Sequence, residues 1–373
     1  MTDYAGRPDP AEGYAEMGTS VAITGVGGLL GQRLLAQLST DADVERVVGL
    51  DVTLPADLPV GDTVDLQRAD VRDADLATRF AGCDVVVHAA FLMDEVGDRA
   101  VMRSINVDGT QNVFEAARHA GVAKVVYLSS AVAYGAHPDN DVPLTEDSPL
   151  RANPDFAYAE DKLAVERWLE GWRDDHRDIE VVVLRPWIVA GREVDNWFVR
   201  QLVEGTTLGL RRVFNVRGYR PPWQFGHVDD VIAAITHAMR HDLSGPYNVA
   251  CEGWLSYDEF LAITGLKPLS IPEGQAFALA EQLWKLDLVG GPPGAVHYVM
   301  HPIVLSVERL VATGWRPRHT NREALGELSE AHAEWLPVKH GVRVRRRDVR
   351  IGAALAGSLA LLGTAAAVVG RDE

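Results

Sequence analysis

The sequence predicts an α/β protein: a doubly wound parallel sheet, a smaller, mostly C-terminal substrate lobe, and a C-terminal apolar helix. Three observations predict the sheet. From Ser20 onward, short β-branched runs alternate with longer stretches that are apolar at helical spacing. The runs are almost continuously apolar, as strands covered by helices on both faces must be. A glycine-rich turn separates the first run from the first helical stretch.

The expected strands are SVAIT (20–24), VERVVGLD (44–51), DVVVHAA (84–90), KVVYLSS (124–130) and EVVVLRP (180–186), with a further strand before RADVRD. Helices are expected over LLGQRLLAQL (29–38), from Arg99 to His119, and over YAEDKLAVERWLEGW (158–172). The cofactor half therefore covers about residues 19–186 and the substrate lobe 187–337. The lobe is marked by proline-rich loops at 221–222 and 290–294 and by short helices over 231–240 and 256–264. All nine tryptophans lie at or after Trp168. They read either as the filling of a small core or as the wall of an apolar cleft.

The ends of the chain read differently. Residues 1–18 are acidic without an apolar run and form an expected disordered extension, not a secretory signal. Residues 1–338 carry −21, which repels phosphate backbones and argues against nucleic acid as a partner. Residues 339–350 carry +5, within an expected basic linker over 338–350. The next twenty, 351–370, hold no charge and as a helix would span about 30 Å, the hydrocarbon thickness of a bilayer. With the cations on its N-terminal flank, this candidate transmembrane helix would keep the catalytic body cytoplasmic. Ala353 and Gly357 would allow two copies to pack as a homodimer. The other reading is an Ala/Gly-rich helix docked on a partner. Two cysteines, Cys83 and Cys251, suggest neither a disulfide framework nor a metal site, and no metal is expected.

Chemistry concentrates in two constellations. TGVGGLLG places Gly25, Gly28 and Gly31 between the first strand and helix, allowing a tight turn, approach to a pyrophosphate, and close helix–strand packing. Asp51, at the end of the second strand, can accept bonds from a ribose hydroxyl pair. With no basic residue beside it in sequence, it favours NAD over NADP. Asp70 and Val71 are candidates for the adenine pocket. The second constellation is Tyr158 and Lys162, four apart on one helix face, with Ser130 at a strand end. A phenol is a poor base at neutral pH, but a nearby ammonium favours its anion. Lys162 would supply that charge and hold the nicotinamide ribose, while Ser130 donates to the substrate oxygen and Tyr158 exchanges its proton.

With these motifs, the chain over about 19–337 resembles the extended short-chain dehydrogenases/reductases, the NAD-dependent epimerase/dehydratase family, on a Rossmann sheet. The ordered set also includes VVVHAA, NVDGTQNV, LSSAVAYG, LRP, HVDD (227–230), YNVA and GWRPR (314–318). The resemblance implies a catalytic triad of Ser130, Tyr158 and Lys162, cofactor contacts from the glycines, Asp51, Asp70, Val71, Ala89 and Ala90, and Asn106 tying the central elements together. His227 is expected to be structural.

Departures narrow the chemistry. Sugar-nucleotide dehydratases of this family carry Asp-Glu after the catalytic hydroxyl residue, where this chain has Ala131 and Val132, so dehydration lacks its acid and base. The related 4-epimerases usually carry an Asn shortly after LR, where this chain has Ile188. LRPWIVAG looks closer to the hydroxysteroid dehydrogenase branch. The expected activity is hydride transfer between NAD and a secondary alcohol or ketone of a hydrophobic or lipid-linked small molecule. The alternatives are a nucleotide-sugar 4-epimerase with retained NAD and a non-catalytic NAD-sensing scaffold, a class that usually loses the Tyr or Lys kept here.

Overall fold

The computed structural model describes residues 18–57, 61–95, 98–205, 211–339, 342–345, 347 and 348. The expected extension, apart from Gly18, and the whole of 351–370 with Ala353 and Gly357 lie outside them. Among the described residues no helix is long and apolar enough to cross a membrane.

The first half runs β1 (Thr19–Thr24), α1 (Leu29–Leu38), β2 (Val44–Asp51), β3 (Val64–Arg68), α2 (Leu76–Arg79), β4 (Val85–His88), α3 (Arg99–Arg103), α4 (Gly109–His119), β5 (Lys124–Leu128), α5 (Ala157–Asp175) and β6 (Glu180–Pro186). A single π-turn, Ser104–Asp108, joins α3 to α4, so the helical stretch expected from Arg99 to His119 is continuous but locally widened. The second half runs β7 (Val189–Ala190), α6 (Trp197–Val203), β8 (Arg212–Val216), β9 (Gly226–His227), α7 (Val228–Arg240), β10 (Gly245–Val249), α8 (Tyr257–Thr264), β11 (Lys267–Ile271) and α9 (Glu273–Lys285). It ends in α10 (His297–Met300), α11 (Glu308–Val311), α12 (Asn321–His332), β12 (Trp335–Lys339) and β13 (Val342–Arg345).

Seven strands form one sheet in the order β10-β6-β5-β4-β1-β2-β3, with every pairing parallel. Successive side chains of β1 explain its uninterrupted apolar sequence: Val21 and Ile23 enter the core on one face and Ala22 enters the core on the other. The strand order reverses between β1 and β4, which opens a crevice at their carboxyl ends, where open α/β sheets bind ligands.

Two differences from the sequence reading matter. β12 and β13 pair as an antiparallel hairpin, so the described beginning of the expected linker is ordered against the body. Arg343 pairs with Asp195 (2.5 Å) and with Glu204 (2.9 Å), which flank α6, and stacks over Trp335. The expected basic linker thus contains an arginine drawn in by Asp195 and the buried Glu204. The tryptophans divide between both expected roles: Trp223 stacks on Phe260 in the core, whereas Trp187 and Trp197 line a cavity at the crevice.

Candidate active site

The turn after β1 forces its glycines. Gly25 has φ +81°, and a Cβ there would lie 2.5 Å from the Ala90 nitrogen. A Cβ on Gly31 would lie 2.2 Å from the Gly25 carbonyl oxygen, so α1 packs against the turn only because that position is bare. Gly28 caps α1 with no side-chain hydrogen bond, leaving the first-turn N–H groups of the helix to an anion. Gly27, which the spacing argument passed over, donates its N–H to Asp51 Oδ2 (3.0 Å). Thr53 N–H binds Asp51 Oδ1 (3.0 Å), so the carboxylate is fixed at the strand end.

A cavity of about 210 Å³ is lined by Gly25, Asp51, Asp70, Val71, Ala89 and Ala90, which brings together the residues expected to hold an adenosine. Within it Asp70 is clasped by Arg72 (2.6 Å), whose hydrogen bonds hold its carboxyl below the usual range. The sheet also corrects one premise. Arg68 on β3 stands in register beside Asp51, although no ion pair joins them. Sequence adjacency could not reveal a cation brought in by strand pairing.

A second cavity, of about 340 Å³, shares Gly25, Gly28, Ala89 and Phe91 with the first and reaches Ser130, Tyr158 and Lys162. The two make one groove across the carboxyl edge of the sheet, with a cradle of glycines at its middle and an acid at the ribose end. This geometry fits a dinucleotide.

Ser130 follows β5 and caps a 3-10 turn through its Oγ, which accepts from Val132 N–H, and it lines the same cavity as Tyr158. Lys162 is buried on α5 and donates to the Leu128 carbonyl (2.6 Å). Its ammonium lies 3.4 Å from the centroid of the Phe91 ring but 5.8 Å from that of Tyr158. Burial raises the Tyr158 pKa, opposed by the nearby Ser130 hydroxyl, and burial holds the Lys162 amine well below its ordinary value. Phe91 was not legible as a site residue, since one aromatic after a strand carries no chemical signal.

Supporting groups are buried. Asn106 accepts from Leu92 N–H (2.8 Å) and donates to the Leu92 carbonyl and to Asp161, tying the loop after β4 to α5 as expected. Thr110 donates to the Asn106 carbonyl, so His88 Nε2–H must donate to Thr110 while Nδ1 accepts from Thr24. The neutral ring is favoured, its pKa pushed down to about 3, first by burial and then by Lys162. Below them, Glu166 accepts from Ser129 (2.5 Å) and pairs with Arg185 (2.6 Å), which also donates to Tyr134.

His227 is buried and caps α7: its Nδ1 accepts from Asp229 N–H and its Nε2 faces Glu327. With Asp229 and His319 it forms a tight cluster, but both its ring nitrogens are engaged, which leaves no lone pair for a metal.

The family model for the NAD dependent epimerase/dehydratase family matches residues 21–250. An uncharacterised protein of Mycobacterium bovis is 26% identical over 315 residues, covering 82% of each chain. The UDP-glucose 4-epimerase of Mycolicibacterium smegmatis is 35% identical over 190 residues, covering 46% of this chain and 57% of the epimerase. Among solved structures, MoeE5 in complex with UDP-glucose and NAD superposes with a TM-score of 0.63 at 25% identity, covering 84% of this chain and 98% of MoeE5.

Proposed function

Since this chain belongs to the NAD-dependent epimerase/dehydratase family, we propose that it is an oxidoreductase moving hydride between NAD and the carbinol carbon of a secondary alcohol, or the matching ketone. NAD is the cofactor of the reaction, and when bound it supplies the hydride acceptor or donor. The protein's own residues do the rest. First-turn N–H groups of α1 meet the pyrophosphate, Asp51 takes the ribose hydroxyls, and Asp70, Val71, Ala89 and Ala90 line the adenosine end. Ser130 donates to the substrate oxygen, Tyr158 exchanges the hydroxyl proton, and Lys162 binds the second ribose. The observation that carries this reading is that Ser130, Tyr158 and Lys162 line one cavity together with Gly25, Gly28 and Gly31 of the glycine turn.

A second reading, nucleotide-sugar 4-epimerisation with retained NAD, is favoured by the similarity to the M. smegmatis epimerase. It uses the same Tyr158. The apolar wall supplied by Trp187, Ile188 and Trp197 favours a hydrophobic or lipid-linked substrate instead. We also infer that residues 351–370 anchor the protein to a membrane with the catalytic body cytoplasmic, supported by the charge-free run and its basic flank.

Purified protein assayed for NADH formation with secondary alcohols separates the two activities. Net NADH, lost by a factor of about 10²–10⁴ in Tyr158→Phe while NAD binding persists, supports the dehydrogenase. Cofactor that co-purifies and never accumulates as NADH, with interconversion of UDP-glucose and UDP-galactose, overturns it in favour of the epimerase.

A further inference from the structure

A third cavity, of about 100 Å³, adjoins the catalytic one at α6, whose Trp197 and Phe198 line both. Its wall is aliphatic and aromatic apart from Gln201 and Asn215. Asn215 is engaged at both ends of its amide, donating to the Tyr219 carbonyl and accepting from Ser270. Gln201 is different: its side-chain nitrogen is buried without a partner. So is the indole nitrogen of Trp197, a side chain only 4% exposed. Two buried donors have given up water and received no acceptor in return. The Trp197 ring has no room to swing toward Gly291, where a Cβ would lie 2.4 Å from its Cζ3.

The charges are equally informative. Among the described residues lining the two cavities the sole cation is Lys162, already bonded to the Leu128 carbonyl. A diphosphate enclosed here would lose its hydration without an arginine or lysine to meet it, a heavy penalty in an apolar surround.

We propose that this cavity is a substrate subsite for an uncharged hydrocarbon arm bearing one acceptor oxygen, received by Trp197 Nε1–H and the Gln201 amide, and that it excludes nucleoside diphosphates. The proposal rests on the reading of the neighbouring groove as a hydride-transfer site. The arm's apolar body displaces nothing polar, and its oxygen satisfies donors that the fold leaves open.

The test compares 4-phenyl-2-butanol with 4-(4-methoxyphenyl)-2-butanol on the full chain with NAD, reading kcat/KM for NADH formation and, separately, Kd by calorimetry. The methoxy compound is expected to bind about three- to tenfold more tightly. That ratio should fall to about one in Trp197→Phe, and both compounds should weaken in Ala280→Phe, which fills the cavity. UDP should not compete. Retained NAD binding shows that each variant folds. Equal or absent binding of the two alcohols, a preference that survives Trp197→Phe, or displacement by UDP overturns the subsite. Preferential binding without NADH keeps the subsite and overturns hydride transfer; NADH formation without preference does the reverse.

Discussion

The Lys162 ammonium rests 3.4 Å from the centroid of the Phe91 ring and 5.8 Å from that of Tyr158, the phenol it is expected to activate. A ring face partly replaces lost water for a buried cation, and Phe91 in turn meets Tyr158 edge to face. Phe91 therefore touches both the amine and the phenol ring of the expected pair. Four expectations follow from the charges and contacts described.

Lys162→Met should stabilise the fold while abolishing turnover. Burial depresses the amine's pKa, so the native state carries no penalty above the ordinary lysine pKa of about 10.4 and a growing one as pH falls below it. At pH 7 an apolar replacement should raise stability by about 1–4 kcal/mol, as for other buried ions. Thermal melts check it: a variant that melts below the parent removes the argument.

His88 should contribute one proton's worth of acid sensitivity. Its folded pKa of about 3 lies below the ordinary histidine value of 6.5. The stability it supports is thus complete above pH 6.5 and is lost as pH falls toward 3. Denaturation titrations of His88→Gln from pH 7 to 4 should show a shallower fall than the parent, by about one proton in slope. An unchanged slope would mean that the ring is already charged in the native state.

Asp51→Ala should narrow the preference for NAD over NADP, and the register neighbour Arg68 should enlarge the effect by meeting a 2′-phosphate once the carboxylate is gone. Adding Arg68→Ala to Asp51→Ala should restore part of the discrimination. Binding titrations of both nucleotides decide this, and equal affinities in the unmutated protein would remove Asp51 from the ribose site.

The full chain should pellet with membranes, resist high salt and be released by detergent, whereas a chain ending at Asp348 should be soluble and bind NAD. The cut belongs after the β12–β13 hairpin, since one at Pro337 would remove the clasp of Arg343. Release of the full chain by salt alone would place 351–370 on a surface or a partner; solubility without treatment would end the anchor reading.

Much of this was legible in the sequence because the sheet is covered on both sides. β2 and β6 have the bounds their apolar runs suggested, and α1 begins and ends where its periodicity does. The glycine turn, Asp51, Ser130 and Tyr158 announce themselves by type and spacing. What stayed hidden depends on contacts distant in sequence. Arg68 reaches Asp51 only through strand register, Arg185 meets Glu166 only across α5 and β6, and the Lys162–Phe91 contact joins residues 71 apart. The hairpin hid for another reason: the Val-Arg-Val-Arg alternation of β13 spans only four residues inside a run of cations, and its stability comes from acids elsewhere.

The clasp of Arg343 on the residues flanking α6 also sets a leash. From Arg343 to Ile351 the chain has eight residues, which fully extended reach at most about 29 Å. A domain of this size has a radius of gyration of about 20 Å. With 351–370 in a bilayer, the body is thus held almost against the lipid surface, tethered beside the helix that walls both cavities. A substrate dissolved in that bilayer is then met by lateral diffusion, and its surface density, not its bulk concentration, sets how often the cleft is filled.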